Sequence, residues 1–502
     1  MKKIFAGMLV VIMLITLLAG CSGKTQTAAT DNNTFTYVIN ADISDFNPYT
    51  SQQLVYVNFF SFNCYEPLFH LNEQMTYEMD LAESYEQIDD VTYSFKLREG
   101  VKFHNGETFT AEDVIHTINY VKNPDNGSYK QSSFANVEEI TADGDYAMTI
   151  KLSTVTPAFL DSLAWLPITC KSVDPASETT NPIGTGAFKF ESWTPNDKII
   201  LSKNAEYWDV ARIHFDQVII KPYTDYMLAV NGLYAGDVDY ISGMTVEQVQ
   251  SVDTAKNVQI VTAESSNLMY LFEVGLHNVE AFNDANVMKA MNLVLDRNAI
   301  NDSIFGGMGK VPTSVYPSGA KYHQDLYTDT YNLEEAKALM AASGYPDGFE
   351  FEVMVISGDL TSEMAAVIWQ QELAKIGITM KLNVCEVSVW LEAYLGRTYD
   401  MICNYYSMVG SDPATFCTVI VAPYVDYQCK DMPELFEKIN AGASTGDEVA
   451  RQAAYADVQK IILDTCPVIS YAEAPQLAAS VAELKGISLN GMSHVFLKDA
   501  TK

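Results

Sequence analysis

The stretch 81–120, LAESYEQIDDVTYSFKLREGVKFHNGETFTAEDVIHTINY, decides the fold class because its hydrophobic period changes partway along. From Thr92 to Leu97, apolar Tyr93, Phe95 and Leu97 alternate with polar Ser94 and Lys96, the period of a half-buried strand. Asn105-Gly106 joins two residues that tolerate positive φ, flanked by Phe103 and Phe109, which predicts a hairpin turn. Thr110 then stands as an N-cap with Glu112 and Asp113 in the first turn, and Val114, Ile118 and Val121 give the helix one buried stripe. Strand, hairpin and amphipathic helix in direct succession define a mixed α/β unit.

The same alternation of signals continues on both sides. Upstream, Phe35 to Asn40 reads as a strand and Asp42 to Gln53 as a polar loop carrying Asn47-Pro48. Downstream, Asp143-Gly144 predicts a second hairpin into Tyr146, Met148, Ile150 and Leu152. Thr245 with Gln248, and Asn332 with Glu335, place capping boxes at two helix starts. Gly236, Gly344 and Gly377 fit as helix stops, and Val287, Ala290, Met291 and Val294 mark a buried helix face. Phe351, Val353 and Val355, then Ile378, Met380, Leu382 and Val384, alternate as strands that follow helices. Gly184 and Gly186 read as turn glycines where a Cβ would be blocked, and their string is not a phosphate-binding GxGxxG. Arg98, Asp113 and Asp296-Arg297 read as ion pairs between elements rather than ligand contacts.

These motifs resemble, in order, the extracellular solute-binding proteins of family 5, the peptide and nickel class of ABC importer receptors. The likeness begins at 81–120 and continues through NPIGTGAFKFESW (181–193), LSKNAEYWD (201–209), LYAGDVDYI (233–241), AMNLVLDRNAI (290–300) and YNLEEAKALMAASGYPDGFEFEV (331–353). ELAKIGITMKL (372–382), RTYDMICNYY (397–406) and YADVQKIILDTCPVIS (455–470) complete it. The resemblance implies an α/β, two-lobed clamshell of the periplasmic-binding-protein kind, with mixed sheets flanked by helices and an extra inserted subdomain. Lobe I is expected from residues 35–50, 181–265 and 474–502, the inserted subdomain from 51–180, and the second lobe from 266–473 through a two-strand hinge. It also implies a monomer that closes on its ligand and docks on permease subunits served by a cytoplasmic ATPase.

The N-terminus gives the address. Lys2 and Lys3 precede an apolar run from Ile4 to Ala19 that closes on Leu18, Ala19, Gly20 and Cys21. Residues 1–20 read as a signal peptide, and the closing tetrad resembles the lipobox of bacterial lipoproteins, which implies lipidation of Cys21. The polar residues 21–34 would form the tether. The expected location is the outer face of the cytoplasmic membrane, or the periplasmic side where an outer membrane exists. With 31 Lys+Arg against 64 Asp+Glu, a formal net charge of -33, the surface repels phosphate backbones, so no nucleic-acid partner is expected. Hydrophobic residues at 48% fill a substantial core, and 502 residues exceed what one core supports, so two or three lobes are expected. Beyond Cys21 the cysteines at 64, 170, 385, 403, 417, 429 and 466 form no CxxC and suggest no disulfide framework; most read as small buried hydrophobes.

Catalytic signals do not assemble. Histidines at 70, 104, 116, 214, 277, 323 and 494 form no HExxH or close pair, so no metal site is expected, and no GxSxG elbow occurs. No enzyme activity and no cofactor are expected. A lipoprotein hydrolase using two carboxylates, and a sensory receptor, stay as remote alternatives. For the ligand, the resemblance implies an oligopeptide or dipeptide first, and an oligosaccharide or another small polar solute second. Dipeptide receptors fix the ligand ammonium with an Asp in the segment matching NYYSMVGSDPATF (404–416), where this chain has Val409, with Asp412 opening an Asp-Pro turn. Met288 stands where relatives often carry Arg, and Arg397 is a candidate for a ligand carboxylate. Tyr405, Tyr406, Phe59 and Phe60 offer rings for a sugar. By segment position the candidate ligand-binding residues are Asn63, Gly243, Met244, Asn267, Tyr405, Tyr406, Met408 and Asp412.

Overall fold

The computed structural model describes residues 33–53, 56–326, 331–408, 410–417 and 432–502. The signal peptide, Cys21, most of the tether, Val409 and Cys429 lie outside the described residues.

Two large mixed sheets organise the chain. The first has seven strands, in the spatial order Val258–Thr262, Leu477–Val481, Tyr240–Ile241, Thr34–Ile39, Gln217–Pro222, Lys198–Lys203 and Phe188–Thr194. Its central strand Thr34–Ile39 runs parallel to both neighbours, Gln217–Pro222 and Tyr240–Ile241. Phe35, Tyr37, Val38 and Ile39 are all buried, as a strand covered on both faces requires. The second has five strands, ordered Thr379–Cys385, Glu350–Ile356, Met401–Ser407, Leu268–Val274 and Val468–Glu473. The chain passes between these sheets twice, at 263–267 and at 474–476. Each sheet has its own core, one around Tyr37, Phe59 and Tyr240 and the other around Phe272, Trp369 and Tyr471.

A four-stranded antiparallel sheet, ordered Ala82–Asp89, Thr92–Leu97, Ala147–Leu152 and Val137–Ala142, enters the chain between the strands Thr34–Ile39 and Phe188–Thr194. Tyr93, Phe95 and Leu97 are buried, and the helix Ala111–Lys122 covers them with Val114, Ile118 and Val121. Asp113 accepts the Thr110 N–H at 2.9 Å, closing the cap that the sequence predicts. Gly106 at φ 90° and Gly144 at φ 98° make the two hairpin turns. Both edge strands carry exposed glutamates, Glu83 and Glu86 on one and Glu138 and Glu139 on the other, which discourages pairing with another chain.

Gly184 and Gly186 lie against the backbone of 63–65, with the Gly186 N–H donating to the Cys64 carbonyl at 3.0 Å. The expected ion pairs take another form in part. Arg98 lies over the Trp208 ring at 3.7 Å and donates to the Asp80 carbonyl, and Arg297 donates to the Ser470 carbonyl at 2.8 Å inside the core. Asp296 instead caps its helix by accepting from the Ala299 N–H. A guanidinium finds carbonyl oxygen and ring faces as readily as carboxylates, which sequence spacing does not distinguish. The six described cysteines are free thiols, five of them buried. No helix among the described residues is long and apolar enough to cross a membrane.

A Cβ at Gly184 would stand 2.1 Å from the Cys64 carbonyl oxygen, whereas at Gly396 the nearest atom is at 3.5 Å. Gly184→Ala is therefore expected to lose roughly 1–3 kcal/mol of stability, and Gly396→Ala to stay within about 0.5 kcal/mol. Chemical denaturation midpoints of the two variants separate these outcomes.

Candidate ligand-binding cleft

The parallel strands Thr34–Ile39 and Tyr240–Ile241 end side by side, and the chain leaves them through 40–42 and 242–243. Carboxyl ends of parallel strands are where open α/β sheets form their ligand crevices. A cavity of about 500 Å³ lies there. The seven-stranded unit contributes Tyr37, Asn40, Asp42, Gln53, Asn58, Tyr226, Ser242 and Gly243 to its wall. Gln476 comes from a crossing segment, Met492 and Ser493 from the C-terminal loop, and Ser407 from the five-stranded sheet. The cavity therefore sits where the two sheets approach each other.

Asp42 is the one charged side chain of that wall among the described residues. Its carboxylate is already engaged, accepting from the Ile43 N–H at 2.9 Å, the Asn196 N–H at 2.6 Å and the Trp193 indole at 3.3 Å. What remains is neutral: amides, hydroxyls and rings. Tyr226 donates to the Ser242 carbonyl at 3.0 Å, and the Tyr37 and Tyr240 rings stack at 5.8 Å. Burial pushes both of the latter phenols well above their usual range, and the Tyr240 hydroxyl has no hydrogen-bond partner among the described residues.

The eight residues singled out from the sequence fall into separate places. Gly243 lines the cavity at φ 63°, and the next residue, Met244, is buried with its N–H on the Leu477 carbonyl. Asn63 is buried and fully used, donating to the Phe59 and Val495 carbonyls and accepting from the Leu497 N–H; it borders a different cavity of about 360 Å³. Asn267, in a crossing segment, donates to the Gly410 carbonyl at 2.7 Å and to that of Met408, which is itself buried. Tyr405 is half-exposed near Tyr270, Tyr406 packs on Phe416, and the neighbouring Ser407 is the strand's contribution to the cavity. Asp412 caps the Pro413–Phe416 turn and pairs with Arg451 at 2.8 Å, both buried. Among the other candidates, Arg397 lies over the Tyr394 ring, Met288 is buried, and Phe59 and Phe60 belong to the first core.

Two features have no signal in the sequence. Asp161, in the short helix Phe159–Ala164, meets the loop 410–412 across the cleft. Glu66, Glu178 and Glu273 are buried, and burial pushes each carboxyl up to about 7. Their partners soften that desolvation: Tyr207 and Trp208 for Glu66, Tyr65 and the Ile183 N–H for Glu178, Asn404 for Glu273. No group of three or more metal-ligating side chains is found among the described residues.

A two-lobed α/β fold with a neutral polar cavity between its sheets is the architecture of a protein that captures a solute. The chain belongs to the bacterial extracellular solute-binding proteins, family 5, whose middle region matches residues 76–427. It is 28% identical to the glutathione-binding protein GsiB of Salmonella typhi over 331 residues, spanning 64% of each chain. It is 29% identical to the oligopeptide-binding protein AppA of Bacillus subtilis over 357 residues, 65% of each. These alignments thus span just under two thirds of the relatives' own length. The fold is shared with the ABC transporter substrate binding protein CtaP of Listeria monocytogenes, at a TM-score of 0.81 and 24% identity, covering 94% of this chain and 99% of that one.

Glu273 titrates near 7 when folded against an ordinary 4.5. Its contribution to stability is complete below the unfolded value and is lost as pH rises through 7. His494, lowered to about 3 by burial, works in the opposite direction, losing stability as pH falls below its ordinary 6.5. The melting midpoint is therefore expected to fall between pH 5.5 and 8, and Glu273→Gln to flatten that fall, gaining on the wild type most at pH 8. Thermal melts at the two pH values check the sign.

Proposed function

We propose that the chain is the receptor of an ABC importer that captures an oligopeptide or dipeptide between its lobes and hands it to membrane permease subunits. The observation that carries this reading is the cavity at the strand ends, whose free groups are neutral amides, hydroxyls and rings. A peptide backbone presents the complementary set of N–H and C=O groups, so it can be held by hydrogen bonds without an opposite charge. The crossing segments 263–267 and 474–476 act as the hinge, with lobe I from residues 35–50, 181–265 and 474–502, the inserted subdomain from 51–180 and the second lobe from 266–473. Ligand contacts are assigned to Tyr37, Asn40, Tyr226, Ser242, Gly243, Ser407 and Gln476, replacing most of the segment-based set; Asn63, Asn267 and Asp412 hold the walls. The chain works without catalysis and as a monomer.

Cys21, lipidated after removal of 1–20, anchors the receptor on the outer face of the membrane through the tether. Cys21→Ser is expected to move the protein from the membrane fraction to the soluble one and to abolish incorporation of labelled palmitate. Retention in the membrane would end the lipoprotein reading.

The ring of Tyr226 favours one second reading, an oligosaccharide stacked on it. A thermal-shift screen with tri- to pentapeptides, glutathione and oligosaccharides separates the two. A ligand at a hundredfold excess over its Kd adds about 2.7 kcal/mol to the folded state. Peptides are expected to raise the midpoint, and Tyr226→Ala to weaken the best of them about tenfold or more. A shift with oligosaccharides alone reassigns the ligand; no shift with any of the three sinks the peptide reading.

A further inference from the structure

We propose that Asp161 is the positioning residue of lobe closure, a carboxylate carried by the inserted segment that clasps the loop 410–412 of the second lobe and sets how long a ligand stays enclosed. The inference rests on the closing-receptor reading above.

One Asp161 oxygen accepts the Ser411 N–H at 2.8 Å and the Asp412 N–H at 2.6 Å, and the other accepts the Tyr77 hydroxyl at 2.6 Å. Asp161 and Tyr77 belong to the inserted segment, whereas 410–412 follows the strand Met401–Ser407 of the five-stranded sheet. The carboxylate is 3% exposed. Burying it is unfavourable unless its lone pairs are matched, and here the opposite lobe supplies two of the matching donors.

The loop is shaped and braced for this contact. Gly410 sits at φ 95°, and a Cβ there would come 2.4 Å from the Asp161 carboxylate. Behind it, the Asp412 carboxylate is held by Arg451 and by the Ala414 N–H, and Asn267 in the crossing segment holds the Gly410 carbonyl. One short loop thus joins the hinge, the end of the strand that brings Ser407 to the cavity, and the clasp. The clasp also closes one end of the cleft, since Met492 borders both the ligand cavity and the small void beside Asp161 and Gly410.

When the lobes part, the amides of 411 and 412 and the Asp161 carboxylate all return to water. The contact therefore favours only the closed arrangement, and it raises apparent affinity by raising the closed population. Removing it speeds ligand dissociation and leaves association, which starts from the open form, unchanged.

Asp161→Asn keeps the side-chain volume but removes the charge and leaves one acceptor oxygen, so the Ser411 N–H, the Asp412 N–H and the Tyr77 hydroxyl can no longer all donate to a carboxylate. In the full chain, hydrogen exchange at 411–412 is expected to speed up about tenfold or more, the radius of gyration from small-angle scattering to grow, and a bound tri- to pentapeptide to dissociate about tenfold faster. Gly410→Ala attacks the same contact from the other lobe and is expected to reproduce all three effects. Asp90→Ala is the control: it removes an exposed contact between the same two parts of the chain, the Gly446 N–H on the Asp90 carboxylate, and is expected to change little. Wild-type protection, radius and dissociation rate in both Asp161→Asn and Gly410→Ala overturn the clasp. If no peptide compacts the wild type while Asp161→Asn still loosens 411–412, the receptor reading fails and the clasp stands.

Discussion

The chain passes between its two large sheets twice, and everything about the cleft depends on those passes lying against each other. The Ala263 N–H donates to the Gln476 carbonyl, the Ser266 hydroxyl to the Ala474 carbonyl, and the Ala474 N–H to the Leu268 carbonyl, at 3.2, 2.7 and 3.0 Å. A double connection of this kind leaves few backbone torsions through which one sheet can move relative to the other. It also fixes where a cavity can open, beside the crossing and at the carboxyl ends of the strands Thr34–Ile39 and Tyr240–Ile241. Asn267 extends this control by binding the loop beyond Ser407 through the Met408 and Gly410 carbonyls.

Charge is distributed against what the composition implies. With 64 acidic residues against 31 basic ones, the chain is strongly anionic, yet among the described residues the cavity wall holds one carboxylate, and that one is spent on the Asn196 N–H and on Trp193. Among the described residues the anionic excess lies outside the cavity wall. Glu66, Glu178, Glu273 and Asp161 are among the acids that break the pattern by being buried. Each is matched by phenol, indole, amide or backbone donors, and all four join parts of the chain distant in sequence: Glu66 with Tyr207, Glu178 with Tyr65, Glu273 with Asn404, Asp161 with Asp412.

Local chemistry was legible in the sequence because it is decided within a few residues. The hairpins at Gly106 and Gly144, the capping boxes at Thr110 and Thr245, and the close approach at Gly184 all follow from φ, side-chain reach and the missing Cβ. The strand Ala82–Asp89 was not, because as an edge strand it buries little and shows no apolar alternation. The cleft was legible only as segments. Side chains alternate faces along a strand, so a shift of one residue exchanges the wall for the core, and of 405–407 it is Ser407, not Tyr405 or Tyr406, that reaches the cavity. Asn63 shows the other obstacle: its partners are Val495 and Leu497, and nothing near it in sequence announces that the C-terminal strand returns there.

A wall of amides, hydroxyls and rings has a consequence for selectivity. Charged recognition discriminates strongly because an unmatched buried ion is penalised heavily, whereas neutral hydrogen bonds to a repeating polar scaffold discriminate weakly among its substituents. Selection then shifts from the wall to the fit between lobes, since a ligand that holds them apart forfeits every contact formed on closing. In this molecule the buried contact of that kind lies on the loop 410–412, tied on one side to the crossing through Asn267 and on the other to the inserted segment through Asp161. In the proposed receptor the discriminating element is thus the geometry of closure, set by residues that lie beside the cavity rather than in its wall.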